Sequence, residues 1–124
     1  MGTMNHIDLG TMGEKMAETH LKAQGFRIRD RNWRFGKDEI DIVAEKGNAV
    51  VFVEVKTRKT GSLMSPVSAV NRAKRAFMIR AANIYMQRYD LDLNARFDII
   101  SIETDGNESQ LEHIEDAFYP TLRL

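Results

Sequence analysis

The chain has 124 residues, a length that suits one domain built around a single modest hydrophobic core. It contains no cysteine and no apolar run near the roughly 20 residues that cross a bilayer, which excludes a disulfide framework, a cysteine-ligated metal centre and a membrane partner, and fits a cytoplasmic protein. The net charge is zero, but 13 basic and 6 acidic residues lie between positions 27 and 80, which favours either a positive surface for a polyanion or charges scattered over exposed faces.

The first predicted element is a helix over residues 9–24, where apolar side chains recur at helical spacing before Gly25, a natural C-terminal cap. A strand over residues 26–35 follows, with arginines alternating on one of its faces. We assign residues 4–124 to a single domain. Residues 1–3 are set aside, because a second candidate start methionine comes directly after them.

A β-hairpin is predicted next. Its strands, residues 39–46 and 49–59, flank a Gly-Asn pair, and glycine at the first central position is typical of a two-residue type II′ turn. Counting from that turn places Asp41 directly opposite Glu54, with Cβ atoms about 4.5–5.5 Å apart. Because side chains alternate along a strand, Lys56 shares the face of Glu54.

The second half of the chain is predicted to hold a long helix between two strands. Ser65 and Pro66 are typical of an N-cap and a first helical residue, so the helix is placed over residues 67–89. Strands follow over residues 95–104 and 108–114. The basic side chains predicted to lie largely away from the apolar stripe of the helix are Arg72, Lys74, Arg75 and Arg80. The order α-β-β-β-α-β-β predicts an α/β fold, a mixed β-sheet flanked by helices.

Two carboxylates and a lysine therefore converge at one end of the hairpin. Asp41 and Glu54 repel each other unless a cation or a proton lies between them. With the Val55 carbonyl and water, they would form an oxygen-rich site that suits Mg²⁺ or Mn²⁺. The alternative is an exposed ladder in which Lys56 neutralises two acids, and the spacing alone leaves both interpretations open.

Several other polar and aromatic residues receive structural interpretations. Glu39 is expected to point away from Asp41, and Asp98 is expected to make a hydrogen bond within its sheet. The three histidines are too dispersed in the sequence to predict a set of metal ligands. Trp33 and Phe35 are assigned either to the core or to an interface between copies of the chain.

The segments EIDIVA, VFVEVKTRK, AVNRAKRAFMIRAANIYM and RFDIISI resemble the bacterial YraN-type family, whose members are inferred to be endonucleases. Asp41, Glu54 and Lys56 match the D-x(n)-E-x-K signature of the PD-(D/E)xK nuclease superfamily. The resemblance extends over about residues 8–118. The family is similar in fold to archaeal Holliday-junction resolvases.

The resemblance implies a restriction-endonuclease-like fold and a nuclease that uses Mg²⁺ or Mn²⁺ to hydrolyse phosphodiester bonds in nucleic acid, with DNA, including branched DNA, as the expected substrate. It assigns Asp41 and Glu54 as metal ligands, Glu14 as a further carboxylate of the metal and catalytic set, and Lys56 as the residue that orients the attacking water. Asp38 departs from the family pattern, in which glycine commonly precedes the Glu-Ile-Asp run.

Nucleic-acid contacts are predicted at five positions near this site, which are Thr57, Arg58, Lys59, Arg72 and Arg75. For the first three, a solvated strand end without any ligand is an equally open interpretation. The alternative function is a non-catalytic nucleic-acid-binding module that retains the nuclease fold. Similarity to resolvases also predicts a homodimer, since a four-way junction presents two equivalent cleavage points, and Trp33 and Phe35 are candidates for its interface.

Overall fold

The computed structural model describes residues 6–61 and 64–120 as an α/β fold whose elements follow the predicted order. The strands form one sheet in sequential order, in which the third and fourth strands are parallel and all other neighbours are antiparallel. Neither described helix is long and apolar enough to span a membrane. The elements are α1 (His6–Ala23), β1 (Arg27–Phe35), β2 (Asp38–Lys46), β3 (Ala49–Lys59), α2 (Arg72–Arg88), β4 (Asn94–Thr104) and β5 (Ser109–Phe118).

The two helices cover opposite faces of the sheet, and β3 is buried between them. Val50 and Phe52 pack in a cluster with residues of α2, whereas Val51 and Val53 pack in a second cluster with residues of α1. All four side chains are fully buried. A strand that is covered on both faces is apolar without interruption, which explains the composition of this segment.

The second helix begins later than the sequence predicted. Ser65 does act as a cap, but of a separate turn, because its hydroxyl accepts a hydrogen bond from the Ser68 amide. The helix begins at Arg72, and its true N-cap is Asn71, whose side chain accepts from the Lys74 amide at 2.8 Å. The predicted start at residue 67 was therefore wrong, because the helix begins five residues later, at Arg72.

The last strand is longer than predicted because a bulge lets it continue past acidic residues. Pairing between β4 and β5 shifts register between Phe97 and Ile99, and Asp116 has a φ of +52° at that point. Beyond the bulge Phe118 pairs with Phe97, and their rings stack with centroids 5.1 Å apart. The predicted strand end at residue 114 missed this segment.

Trp33 is a core residue, which confirms the first of the two interpretations that its sequence left open. Its side chain is 9% exposed, and its ring meets the ring of Tyr85 edge to face with centroids 5.1 Å apart. Phe35 is partly buried against the same cluster. The hydrogen bond predicted for Asp98 is confirmed, since Arg96 donates to its two carboxylate oxygens at 2.9 and 2.8 Å.

One glycine allows α1 to lie unusually close to β3. A Cβ added at Gly13 would overlap the side-chain hydroxyl of Thr57 and lie 3.2 Å from the Thr57 Cβ. Gly10, one turn earlier in the same helix, has open space around it. The absence of a side chain at Gly13 therefore sets the distance between the helix and the hairpin end.

We expect Gly13→Ala to destabilise the protein by about 1–3 kcal/mol, because overpacking costs more than the roughly 1 kcal/mol that alanine gains in a helix. Gly10→Ala is the matched control and should be neutral or stabilising. Urea unfolding of the two variants measures the difference. Thr57→Ala should reduce the cost of Gly13→Ala, and an equal cost in both backgrounds would rule out this contact as its cause.

Candidate functional site

The hairpin register is confirmed from its turn to the last paired residues. Gly47 has a φ of +60°, as the first central residue of a type II′ turn requires. Pairing then runs from Lys46 and Ala49 to Ile42 and Val53. The next residues along the two strands are Asp41 and Glu54, which the sequence predicted to be opposed.

The regular ladder ends at Asp41, whose carboxylate takes over a backbone hydrogen bond. Its Oδ2 accepts from the Val55 amide at 2.8 Å. The N–H and C=O of one strand residue point to the same neighbouring strand, so the Val55 carbonyl also points toward the Asp41 side. Asp41 thus closes the open end of the hairpin and lies beside the Val55 carbonyl and the Glu54 carboxylate of β3.

The strand β2 bends where Asp41 lies. Ile40 and Ile42 would share a face in a regular strand, yet they belong to the two clusters on opposite faces of the sheet. On the neighbouring strand, Asn32 lies between the partners of these isoleucines and has a φ of +49°. Asp41 thereby lies close enough to both helices for its charge to act on Glu14 of α1 and on Lys74 of α2.

Glu54 is the most perturbed acid of the site. Its side chain is only 5% exposed. Burial raises the pKa of Glu54 from 4.5 to about 9, helped by a hydrogen bond with Asp41 and by the charge of Asp41, and opposed by the charges of Lys74 and Lys56. One proton shared between the two carboxylates relieves their repulsion.

Glu14 reaches the same acid cluster from α1. Burial raises the pKa of Glu14 most, and the negative charges of Asp41 and Glu39 raise it further. A hydrogen bond with Asn32 lowers it. Glu39, which had been expected to point away from Asp41, also acts on Glu14 through its charge, and its carboxylate lies 3.8 Å from Arg34 of β1.

A second lysine, which the sequence interpretation placed largely away from the core, also lies in the cluster. The Lys74 ammonium is 2.8 Å from Asp38 Oδ1, 2.9 Å from the Glu39 carbonyl oxygen and 3.4 Å from Glu54 Oε2. The signal for it was in the sequence, since position 74 lies four residues after Val70, and three before Phe77, on the buried stripe of α2.

The predicted nucleic-acid contacts divide into two kinds. Arg75 donates to the carbonyls of Val67 and Val70 at 2.6 and 2.9 Å, so its guanidinium holds the chain that leads into α2. Arg58 donates to the Ser101 hydroxyl and to the Met64 carbonyl. The structure places three further predicted residues at or near the surface. These are Thr57, partly buried beside Gly13, and the exposed Lys59 and Arg72.

Within residues 6–61 and 64–120, no three His, Cys, Asp or Glu side chains are grouped closely enough to form a complete set of metal ligands. His20 and His113, judged too dispersed in the sequence, do meet at 3.0 Å, and His113 contacts Asp98 at 2.7 Å. The carboxylate pair formed by Asp41 and Glu54 remains the strongest feature for binding a cation among the described residues.

This chain is similar to proteins of one family. The model of the "Uncharacterised protein family UPF0102" matches residues 13–102. A UPF0102 protein from Flavobacterium psychrophilum is 46% identical over 92% of this chain and 96% of its own length. Another from Bacteroides thetaiotaomicron is 44% identical over 94% of this chain and 97% of its own length.

Among solved structures, Pyrococcus furiosus SfsA in complex with Ca²⁺ matches with a TM-score of 0.39 and 15% identity, covering 86% of this chain and 62% of that chain. At that TM-score the likeness says nothing about the ligands or the activity of this chain.

Without divalent cations, we expect the free energy of unfolding to decrease as the pH rises. The pKa of Glu54 is raised to about 9 in the folded protein, so its contribution to stability is fully present below about 4.5 and is lost as the pH rises from there through about 9. One such group contributes a slope of at most about 1.4 kcal/mol per pH unit. Glu54→Gln should flatten this slope.

Urea unfolding in EDTA between about pH 5 and pH 9 measures the effect. Glu112→Gln, a change at an exposed glutamate of β5, is the control and should follow the wild type. Equal slopes for wild type and Glu54→Gln would contradict the shared proton.

Proposed function

The chain belongs to the uncharacterised protein family UPF0102, the YraN family predicted above, and we propose that it is a divalent-metal-dependent nuclease that hydrolyses phosphodiester bonds in nucleic acid. Membership of this family fits a nuclease-like fold. The proposed activity depends on the acid cluster at the end of the β2–β3 hairpin.

The observation that supports the proposal most directly is a buried oxygen. Glu54 Oε2 is buried and accepts no hydrogen bond from any described residue. A buried acceptor without a partner costs free energy, of the order of 1–3 kcal/mol. Lys74 offsets part of that cost at 3.4 Å, although this contact is not a hydrogen bond. A divalent cation between Asp41 and Glu54 would offset the rest.

The donor set suits a small, hard cation. Carboxylate oxygens from Asp41 and Glu54 and the carbonyl of Val55 are the ligands that Mg²⁺ and Mn²⁺ prefer. Mg²⁺ commonly keeps several waters and takes only one or two carboxylates from the protein. Two acids with Glu14 close behind them therefore meet its needs, even though the described residues contain no complete set of protein ligands.

Lys56 is the residue best placed to act on water and phosphate. It follows Glu54 by two residues on the same face of β3, and its positive charge lowers the pKa of Glu54. A bound Mg²⁺ or Mn²⁺ would lower the pKa of a coordinated water and neutralise charge that develops on the phosphate. Lys56 would orient the attacking water and contact a phosphate oxygen.

Duplex or branched DNA is the proposed substrate, and the exposed Lys59 and Arg72 are the proposed phosphate contacts. Lys59 lies at the end of the strand that carries Glu54 and Lys56, while Arg72 begins the helix that carries Lys74. A substrate on this side of the molecule would therefore meet positive charge on both flanks of the acid cluster.

We expect Mn²⁺ to bind the wild-type protein in a calorimetric titration, and Asp41→Asn or Glu54→Gln to weaken that binding by at least about tenfold, since each removes one charged ligand.

Lys56→Met should retain Mn²⁺ and lose cleavage of labelled linear, single-stranded and four-way-junction substrates. Sedimentation of the same mixtures tests whether the protein dimerises on junctions.

Glu112→Gln controls for a general loss of negative charge. Unchanged Mn²⁺ binding in both ligand variants would remove the metal site from the proposal. Nucleic-acid binding without cleavage, in Mg²⁺ and in Mn²⁺, would instead favour the non-catalytic binding module.

Arg72→Ala is expected to affect nucleic-acid binding, whereas Arg75→Ala is expected to affect stability. The exposed Arg72 is expected to contribute to affinity, so its loss should weaken nucleic-acid binding and reduce the slope of log K against log salt by roughly 1. Arg75 holds two backbone carbonyls, so its loss should mainly lower the urea midpoint. Fluorescence anisotropy at several salt concentrations, together with urea unfolding, separates the two effects. Identical behaviour of both variants would contradict this division.

A further inference from the structure

The ammonium of Lys74 lies where positive charge in the acid cluster is most needed. It contacts Asp38 and the Glu39 carbonyl by hydrogen bonds and lies 3.4 Å from the buried Oε2 of Glu54. The side chain of Lys74 is only 19% exposed, so its charge is poorly screened by water. A buried ammonium beside a buried carboxylate is a fixed electrostatic feature of the site.

The fold holds Lys74 in this position from several directions. Its backbone amide donates a hydrogen bond to the side chain of Asn71, the N-cap residue, which fixes the first turn of α2. Its ammonium lies 5.1 Å from the centroid of the Phe77 ring, within the range of a cation–π interaction. Asp38 provides its shortest hydrogen bond, at 2.8 Å.

We propose that Lys74 is a built-in counter-cation that competes with a divalent metal for Glu54. The Asp38 carboxylate and the Glu39 carbonyl form the hydrogen-bonding site, called the seat below, that holds the Lys74 ammonium when the metal binds. This inference rests on the proposed function for its metal. It assigns no covalent step to Lys74, which is a positioning residue that sets the affinity of the site for cations.

The competition follows from charge and distance. A unit positive charge about 4 Å from a ligand oxygen repels a divalent cation on that oxygen twice as strongly as it repels a monovalent one. The two hydrogen bonds to Asp38 and Glu39 pull the ammonium toward the rim of the cluster. The balance between Glu54 on one side and this seat on the other decides how much of the repulsion a metal meets.

The first test needs no metal. In EDTA, Lys74→Met should lower the urea midpoint, because Glu54 and Asp41 lose their counter-cation, and the loss should be smaller when Glu54→Gln is also present. Lys74→Gln, which keeps a hydrogen-bond donor without charge, is the second variant in case the methionine variant folds poorly. Arg80→Met, an equal charge loss at an exposed position of the same helix, is the control.

The second test measures Mn²⁺ affinity by calorimetry. Lys74→Met and Lys74→Gln should bind Mn²⁺ at least about tenfold more tightly than the wild type, whereas Arg80→Met should not. Asp38→Asn should weaken Mn²⁺ binding in the wild-type background, because the ammonium is left to Glu54. Its effect should shrink in the Lys74→Met background, where only the loss of the Asp38 charge remains.

The outcomes separate this inference from the proposed function. Weaker or unchanged Mn²⁺ binding in both Lys74 variants would overturn the competition while leaving the metal site intact. Additive losses of Lys74→Met and Glu54→Gln in EDTA would overturn the counter-cation itself. Coupling in EDTA without Mn²⁺ binding in any variant would support the counter-cation and refute the metal dependence of the proposed nuclease.

Discussion

The arrangement of polar groups in this molecule depends on the contact between two carboxylates, Asp41 and Glu54, at the open end of a β-hairpin. Their register is set several residues away by the turn at Gly47, so they cannot separate without shifting every apolar side chain of β3 to the wrong face. The hydrophobic core thereby enforces an unfavourable electrostatic pair. A shared proton, the Val55 amide and two lysines lower its cost.

Both helices are held so that they deliver charge to this pair. In α1, Gly13 permits close contact with β3 beside Glu14, while the C-terminal half of the helix is tied to the far strands. There His113 Nε2 lies 2.7 Å from Asp98 and His113 Nδ1 lies 3.0 Å from His20 Nε2, and this chain of contacts links α1, β5 and β4. The helix is thus fixed to the sheet at two points, on either side of Ala17 in the second core cluster.

Local rules predicted the hairpin and its acids because a period of two and a two-residue turn act over short distances. The convergence of Asp41, Glu54 and Lys56 follows from those rules alone. The bend at Asp41 does not, since it depends on the positive φ of Asn32 in a neighbouring strand. Lys74 was missed for another reason, because a charged residue on an apolar stripe was assigned to solvent although the partner that it needed was 36 residues away.

The basic middle segment of the sequence is much less available to a polyanion than its composition indicates. On β1, Arg27 and Arg29 both bond to Glu45, and Arg31 pairs with Glu18 of α1. These contacts fasten β1 to its neighbours and match three arginines with two carboxylates. In the proposed function, the positive charge offered to the substrate is that of Lys59 and Arg72, at the ends of β3 and α2. Charge segregation along the chain thus reflects internal pairing, because the position of each arginine in the sheet decides which carboxylate it meets.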